Sequence, residues 1–251
     1  MIKKYTITCL LMLGFCVFTK MFGFNFSSNL APSILPDIEN SRRLAQIIFY
    51  EDFTFANEIL PSADERIAYK MRKALKAHSF STLQTNKLHQ RAEIWFPIIE
   101  PILRKYGIPD DFKYIPLIES GMTKNQYSPK GAAGLWQLMP ETAKDYGLKV
   151  NENVDERLNV KFATIAAAKY IKDLHKQFKS WTITAAAYNG GEGRMKRQML
   201  KQNQNNYFKL YLNHETGKYV YSLISMKQVI EHPEEYGYRV NNPRKLLAYI
   251  N

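Results

Sequence analysis

YIPLIESGMTKNQYSPKGAAGLWQLMP, residues 114–140, is the stretch from which the fold and chemistry of this chain are best read. Ile115, Leu117 and Ile118 make its start an apolar helical segment that ends at Glu119. Burial in an apolar pocket disfavours a carboxylate, so the pKa of such a group rises toward the range of a general acid. Gly121 turns the chain, and GAAGLWQ at 131–137 supplies small residues and two glycines that let backbone approach backbone or ligand closely. Taken alone, the same residues also fit a helix-capping Glu followed by a Gly-rich turn.

Two later segments carry further chemistry. AYNGGEG at 187–193 sets Tyr188 and Asn189 just before a Gly-Gly turn, where a phenol and an amide can address sugar hydroxyls and acetamido groups. Glu215 and Tyr219 are four apart and share a face if residues 215–231 are helical. Trp136 and Trp181 are rings that suit either sugar stacking or the core.

Around these segments the chain reads as helix. Apolar spacings of three and four run through 38–60, 64–78 and 86–106, where Pro97 and Pro101 predict a kink or a split. Asp110 is a candidate N-cap for a helix over 111–119, and Pro140 with Glu141 marks another helix start. Long helices are predicted over 155–178, 181–189 and 215–231, with Ala166, Ala167 and Ala168 allowing a close neighbour. No run of alternating β-branched residues bounded by turn pairs is found. The expected fold class is all-α, a mostly helical chain with at most a minor hairpin. The expected organisation is a leader over 1–25, a helical amino-terminal region over 37–106, a catalytic-type domain over 107–232 and an extension over 233–251.

Lys3 and Lys4 precede an uncharged apolar stretch, Tyr5 to Phe18, followed by small and polar residues. That pattern predicts a secretory signal peptide or membrane anchor, hence export to the periplasm or cell envelope. Both cysteines, Cys9 and Cys16, fall inside it. Phe15, directly before Cys16, is too bulky for a lipoprotein cleavage box. Lys plus Arg is 35 against 23 acids, a formal charge of +12 that favours a polyanionic partner without choosing nucleic acid, membrane surface or wall polymer.

The order and spacing of these motifs resemble the lytic transglycosylase catalytic domain of glycoside hydrolase family 23, related to goose-type lysozyme. The resemblance covers about residues 107–232 and rests on Glu119-Ser120, Ser128, GAAGLWQLMP at 131–140, AYNGG at 187–191 and ETGKYV at 215–220. It implies a lysozyme-like lobe of the α+β superfamily, with the amino-terminal region packed on it. It also implies that Glu119 is the catalytic acid and base, and that Ser128 lies near the acetamido group of the reacting sugar. By the same resemblance Gln137 and Met139 line the sugar site, Tyr188 hydrogen-bonds close to the catalytic carboxyl, and Glu215 and Tyr219 support the site from behind. The chain departs from the common pattern at Met122, usually a large ring, and at Gln126-Tyr127, usually a small apolar pair.

Most glycosidases use two carboxylates, and no second one is spaced locally to serve beside Glu119. The expected reaction is cleavage of the bond between N-acetylmuramic acid and N-acetylglucosamine in peptidoglycan glycan strands, with the 2-acetamido group assisting. Glu119 acts first as acid and then as base, and the C6 hydroxyl closes a 1,6-anhydro end. The alternatives are a goose-type muramidase that uses water and a non-catalytic wall-binding protein. The cluster Arg194, Lys196, Arg197 and Lys201 has no zinc-ligand or basic-zipper context, so no specific nucleic-acid partner is expected. His78, His89, His175, His214 and His232 lack paired-ligand spacing, and no phosphate-cradling glycine loop is found; no metal or cofactor is expected. The remaining expectations are a monomer and a membrane association through the amino terminus.

Overall fold

The computed structural model describes residues 53–239; the leader over 1–25, Cys9, Cys16, residues 37–52 and the tail from 240 lie outside the described residues. The first element corrects the expectation of helix through residue 60. Strands β1 (Thr54–Phe55) and β2 (Glu58–Ile59) pair antiparallel across Ala56 and Asn57, whose φ values of 50° and 65° make a tight hairpin turn. A tertiary bond holds that strained turn, because the Ala56 amide donates to Asp111 Oδ2 at 2.7 Å.

Helix α1 (Glu65–His78) starts on Asp64, whose side chain accepts from the amides of Arg66 and Ile67. The short α2 spans Phe80–Leu83, and α3 runs unbroken over Lys87–Tyr106. Pro97 and Pro101 therefore do not split α3. Both prolines are exposed, as is Glu93, so carbonyls that lose a helical partner face water. Asp110 does not cap the next segment: Pro109 holds the cap position, and a 3₁₀ turn, Asp110–Tyr114, leads into α4 (Ile115–Ser120).

Helix α5 (Pro140–Asp145) opens on its proline as expected. A 3₁₀ turn, Glu156–Leu158, precedes α6 (Val160–Phe178), which Asn159 caps. Helices α7 (Trp181–Gly190), α8 (Glu192–Gln202) and α9 (Thr216–Glu231) follow. Buried alanines 166–168 on α6 and 185–187 on α7 let these two packed helices approach closely.

Helix α9 is the central strut. Tyr219, Val220, Leu223, Ile224, Met226 and Val229 are buried on it, and it packs against α1, α4, α7 and the hairpin. Each large side chain buried in this way contributes about 1.5–3 kcal/mol. Among the described residues, strand pairing amounts to the hairpin and isolated bridges, so the fold is mostly helical, as the sequence implies.

Candidate active site

Glu119 occupies the last turn of α4, and Gly121 ends that helix in the left-handed region at φ 55°. Its carboxyl is largely out of water, and burial holds its pKa above the ordinary carboxylate value. The Tyr219 hydroxyl donates to Glu119 Oε1 at 2.6 Å and works the other way, while the charge of Glu215 adds to the upward push. Tyr219 is buried, and its phenol is pushed well above its usual value, so it remains a donor. Tyr219 therefore contacts the carboxyl directly. Glu215 stands at the exposed N-cap position of α9 and accepts from Asn189 Nδ2 at 3.0 Å.

Tyr188 and Asn189 lie in the last turn of α7. The Tyr188 hydroxyl donates to the carbonyl of Trp136 at 2.7 Å, and burial followed by the nearby Glu119 charge keeps this phenol protonated. Asn189 Oδ1 accepts from Thr216 Oγ1 at 3.1 Å, so the Asn189 amide bridges α7 to the start of α9.

The remaining predicted residues lie on the loop between α4 and α5. Ser128 Oγ accepts from the Ala132 amide at 3.0 Å, which leaves its hydroxyl hydrogen to be donated elsewhere. Gln137 is left-handed at φ 47°, and its Nε2 donates to the carbonyls of Gln126 and Gly134. Met139 precedes α5 and is 43% exposed. Trp136 and Trp181 serve the framework. Trp136 is fully buried with Nε1 bonded to Thr164 Oγ1, and Trp181 stacks on His175 with ring centroids 3.4 Å apart. Met122 is also buried, at φ 57°.

Sequence reasoning gave no role to the residues that hold these pieces. Ser120 Oγ donates to the carbonyl of Leu135 at 2.9 Å, tying the helix of Glu119 to the loop. Arg91 on α3 donates to the carbonyl of Gly121 at 2.7 Å, just past Glu119. Glu58 of the hairpin accepts from the amides of Trp181 and Thr182 and from both hydroxyls at Ser180 and Thr182, capping α7 from 122–124 residues away. These pairings span long sequence separations, and no local spacing signals them.

Residues 96–211 match the family described as the transglycosylase SLT domain. The membrane-bound lytic murein transglycosylase D of Escherichia coli (strain K12) is 31% identical over 182 residues, which is 70% of this chain and 39% of that protein. This chain contains a transglycosylase SLT domain. The chain spans about two fifths of the length of that curated relative. The crystal structure of the 70 kDa soluble lytic transglycosylase of Escherichia coli is similar with a TM-score of 0.46 at 20% identity, covering 82% of this chain and 37% of that one.

The SLT domain match includes Glu119, Ser128, Gln137, Met139, Tyr188 and Asn189, whereas Glu215 and Tyr219 lie beyond its end at residue 211. Among the described residues no group of three His, Cys, Asp or Glu side chains is arranged to hold a metal ion. Among them, too, no helix is long and apolar enough to cross a membrane.

Proposed function

We propose that the chain is a peptidoglycan lytic transglycosylase that cleaves the β-1,4 bond between N-acetylmuramic acid and N-acetylglucosamine and leaves a 1,6-anhydro end. The observation that carries this reading is the mostly buried Glu119 carboxyl with one oxygen, Oε1, held by Tyr219. Burial favours a neutral acid, and the Tyr219 donor on Oε1 leaves Oε2 to bear the proton. Protonated Glu119 gives that proton to the glycosidic oxygen as the bond to C1 breaks. The substrate's 2-acetamido group stabilises the developing cation, which meets the need for a second carboxylate from within the substrate. Glu119, now ionised and stabilised by the Tyr219 hydroxyl, takes the proton of the muramoyl C6 hydroxyl as that oxygen bonds to C1. Glu215 is already bonded to Asn189 and stands exposed, which supports a role in raising the pKa of Glu119 rather than in proton transfer.

In this reading Ser128, Gln137, Met139 and Asn189 line the sugar path, and Tyr188 fixes the loop through Trp136. Residues 1–25 serve export to the periplasm or cell envelope, residues 53–106 brace the catalytic lobe or steer glycan toward one side, and residues 107–232 form the catalytic domain.

The test is product analysis by mass spectrometry on purified sacculi, with wild type and Glu119→Gln side by side. Wild type is expected to yield muropeptides lacking one water, and Glu119→Gln to lose about 10²–10⁴-fold of the rate while keeping its fold. Hydrated ends would make the protein a muramidase, and near-normal cleavage by Glu119→Gln would remove Glu119 from the chemistry.

A further inference from the structure

Arg157 is a buried cation whose side chain is 5% exposed, and it lies outside every motif that the proposed chemistry uses. Its Nη1 donates to two carbonyls, Gly131 at 2.7 Å and Leu138 at 3.0 Å. Those carbonyls are the two ends of the GAAGLWQL segment. Its Nε and Nη2 grip Asp155 with both carboxylate oxygens, at 2.9 and 2.7 Å. A buried guanidinium with four bonds in fixed directions is a rigid clamp, and a lysine ammonium cannot reproduce its planar fork. Asp155 is kept ionised chiefly by the bonds from Arg157.

Two further features fit the clamp to the loop. A Cβ built on Gly134 would lie 2.0 Å from the carbonyl oxygen of Arg157, so the loop backbone rests directly on the backbone of its holder. Tyr127, one of the departures from the family pattern, donates its hydroxyl to Asp155 Oδ2 at 3.3 Å from a half-exposed position on the same loop. The clamp therefore grips the loop at Tyr127, Gly131 and Leu138. Between the last two lie the carbonyl of Leu135, which receives Ser120 next to Glu119, and that of Trp136, which receives Tyr188.

We infer that Arg157 and Asp155, joined by Tyr127, are positioning residues that set the 126–138 loop against Glu119 and keep water from its carboxyl. They act through the loop and touch no substrate. The inference rests on the proposed role of Glu119, and its test separates the two.

Asp155→Asn removes the charge that fixes the guanidinium, and Arg157→Lys keeps the charge while losing the fork. Each variant is compared with wild type on sacculi across pH, and by hydrogen exchange of residues 126–138. Both are expected to lower kcat by about tenfold to 10²-fold with little change in KM, because a misplacement of about 1 Å is enough for such a loss. The basic limb of the pH profile is expected to move to lower pH, since water reaching Glu119 favours its ionised form. Loop amides are expected to exchange faster in both variants. Wild-type kcat, pH profile and loop protection in the folded variants would overturn the inference, leaving Arg157 a stabilising residue alone. Should wild type itself leave sacculi intact, the proposed function fails, and the exchange measurement still decides whether the clamp holds the loop. Should Asp155→Asn not fold, Tyr127→Phe on the exposed side replaces it, with the same direction expected in exchange and pH profile.

Discussion

Tyr219 and Glu119, a hundred residues apart, are joined by one hydrogen bond of 2.6 Å in which the phenol donates to Oε1. The bond fixes the orientation of the carboxyl and leaves its second oxygen free to carry a proton. It also opposes burial, since a donor to the carboxylate favours the charged form.

Tyr219→Phe should therefore raise the pKa of Glu119 further and shift the basic limb of the pH–rate profile upward. Maximal kcat should fall about tenfold, in keeping with the loss of about 1.5 kcal/mol from a hydrogen bond to a charged group. Glu215→Gln should move the same limb the opposite way, because it removes a like charge. Steady-state rates across pH on solubilised glycan check both signs, and equal shifts in one direction would contradict the arrangement.

Glu58→Ala should destabilise the fold by about 1–3 kcal/mol, because it removes a helix cap and several hydrogen bonds to a carboxylate. Urea unfolding of wild type and variant measures the difference. A change below a few tenths of a kcal/mol would show that Ser180 alone suffices to cap α7.

His78 makes folding sensitive to acid. Burial, with Lys218 adding, lowers its pKa from 6.5 to about 4, and its Nδ1 faces Ser225 Oγ at 2.9 Å. The unfolded chain binds the proton more readily, so stability is lost as pH falls from about 6.5 toward 4, by up to about 3 kcal/mol. His78→Gln should flatten the slope of unfolding free energy between pH 7 and 4.5 relative to wild type, as measured by urea titration at each pH.

Gly134→Ala should be among the most damaging single-methyl changes. The residue is at φ 76°, and its new Cβ would collide with the backbone of Arg157, which cannot swing aside as a side chain end could. A loss of about 3 kcal/mol or more is expected. Thermal unfolding checks it, and Gly131→Ala, where nothing lies within 4 Å, serves as the milder comparison despite its own φ of 89°.

The helices of this fold are legible because their apolar spacing and punctuation are local. Pro140 and Gly121 both act where the sequence places them, and the alanines at 166–168 do meet a close neighbour. The 53–60 hairpin was not legible: Ala56 carries no turn signal, and its positive φ is held by Asp111, 55 residues away. Asp110 reads as a cap because Asp commonly is one, yet it is its neighbour Asp111 that binds the hairpin and Lys227. In the candidate site, the residues belonging to ordered motifs could be named by their resemblance to a known family. Arg157, Arg91 and Glu58 could not, since a cation or acid on a helix reads as solvated surface until the fold shows what covers it.

The grip of Glu58 on α7 bears on how this domain can be cut out. A fragment trimmed to residues 96–211 would keep Glu119 and Tyr188 but forfeit Tyr219 on one side and the distant carboxylate that anchors Trp181 on the other. Anyone excising the smallest workable fragment should start upstream of residue 53 and carry α9 to its end, or expect a polypeptide that keeps Glu119 without the phenol that binds it and without the carboxylate that caps α7.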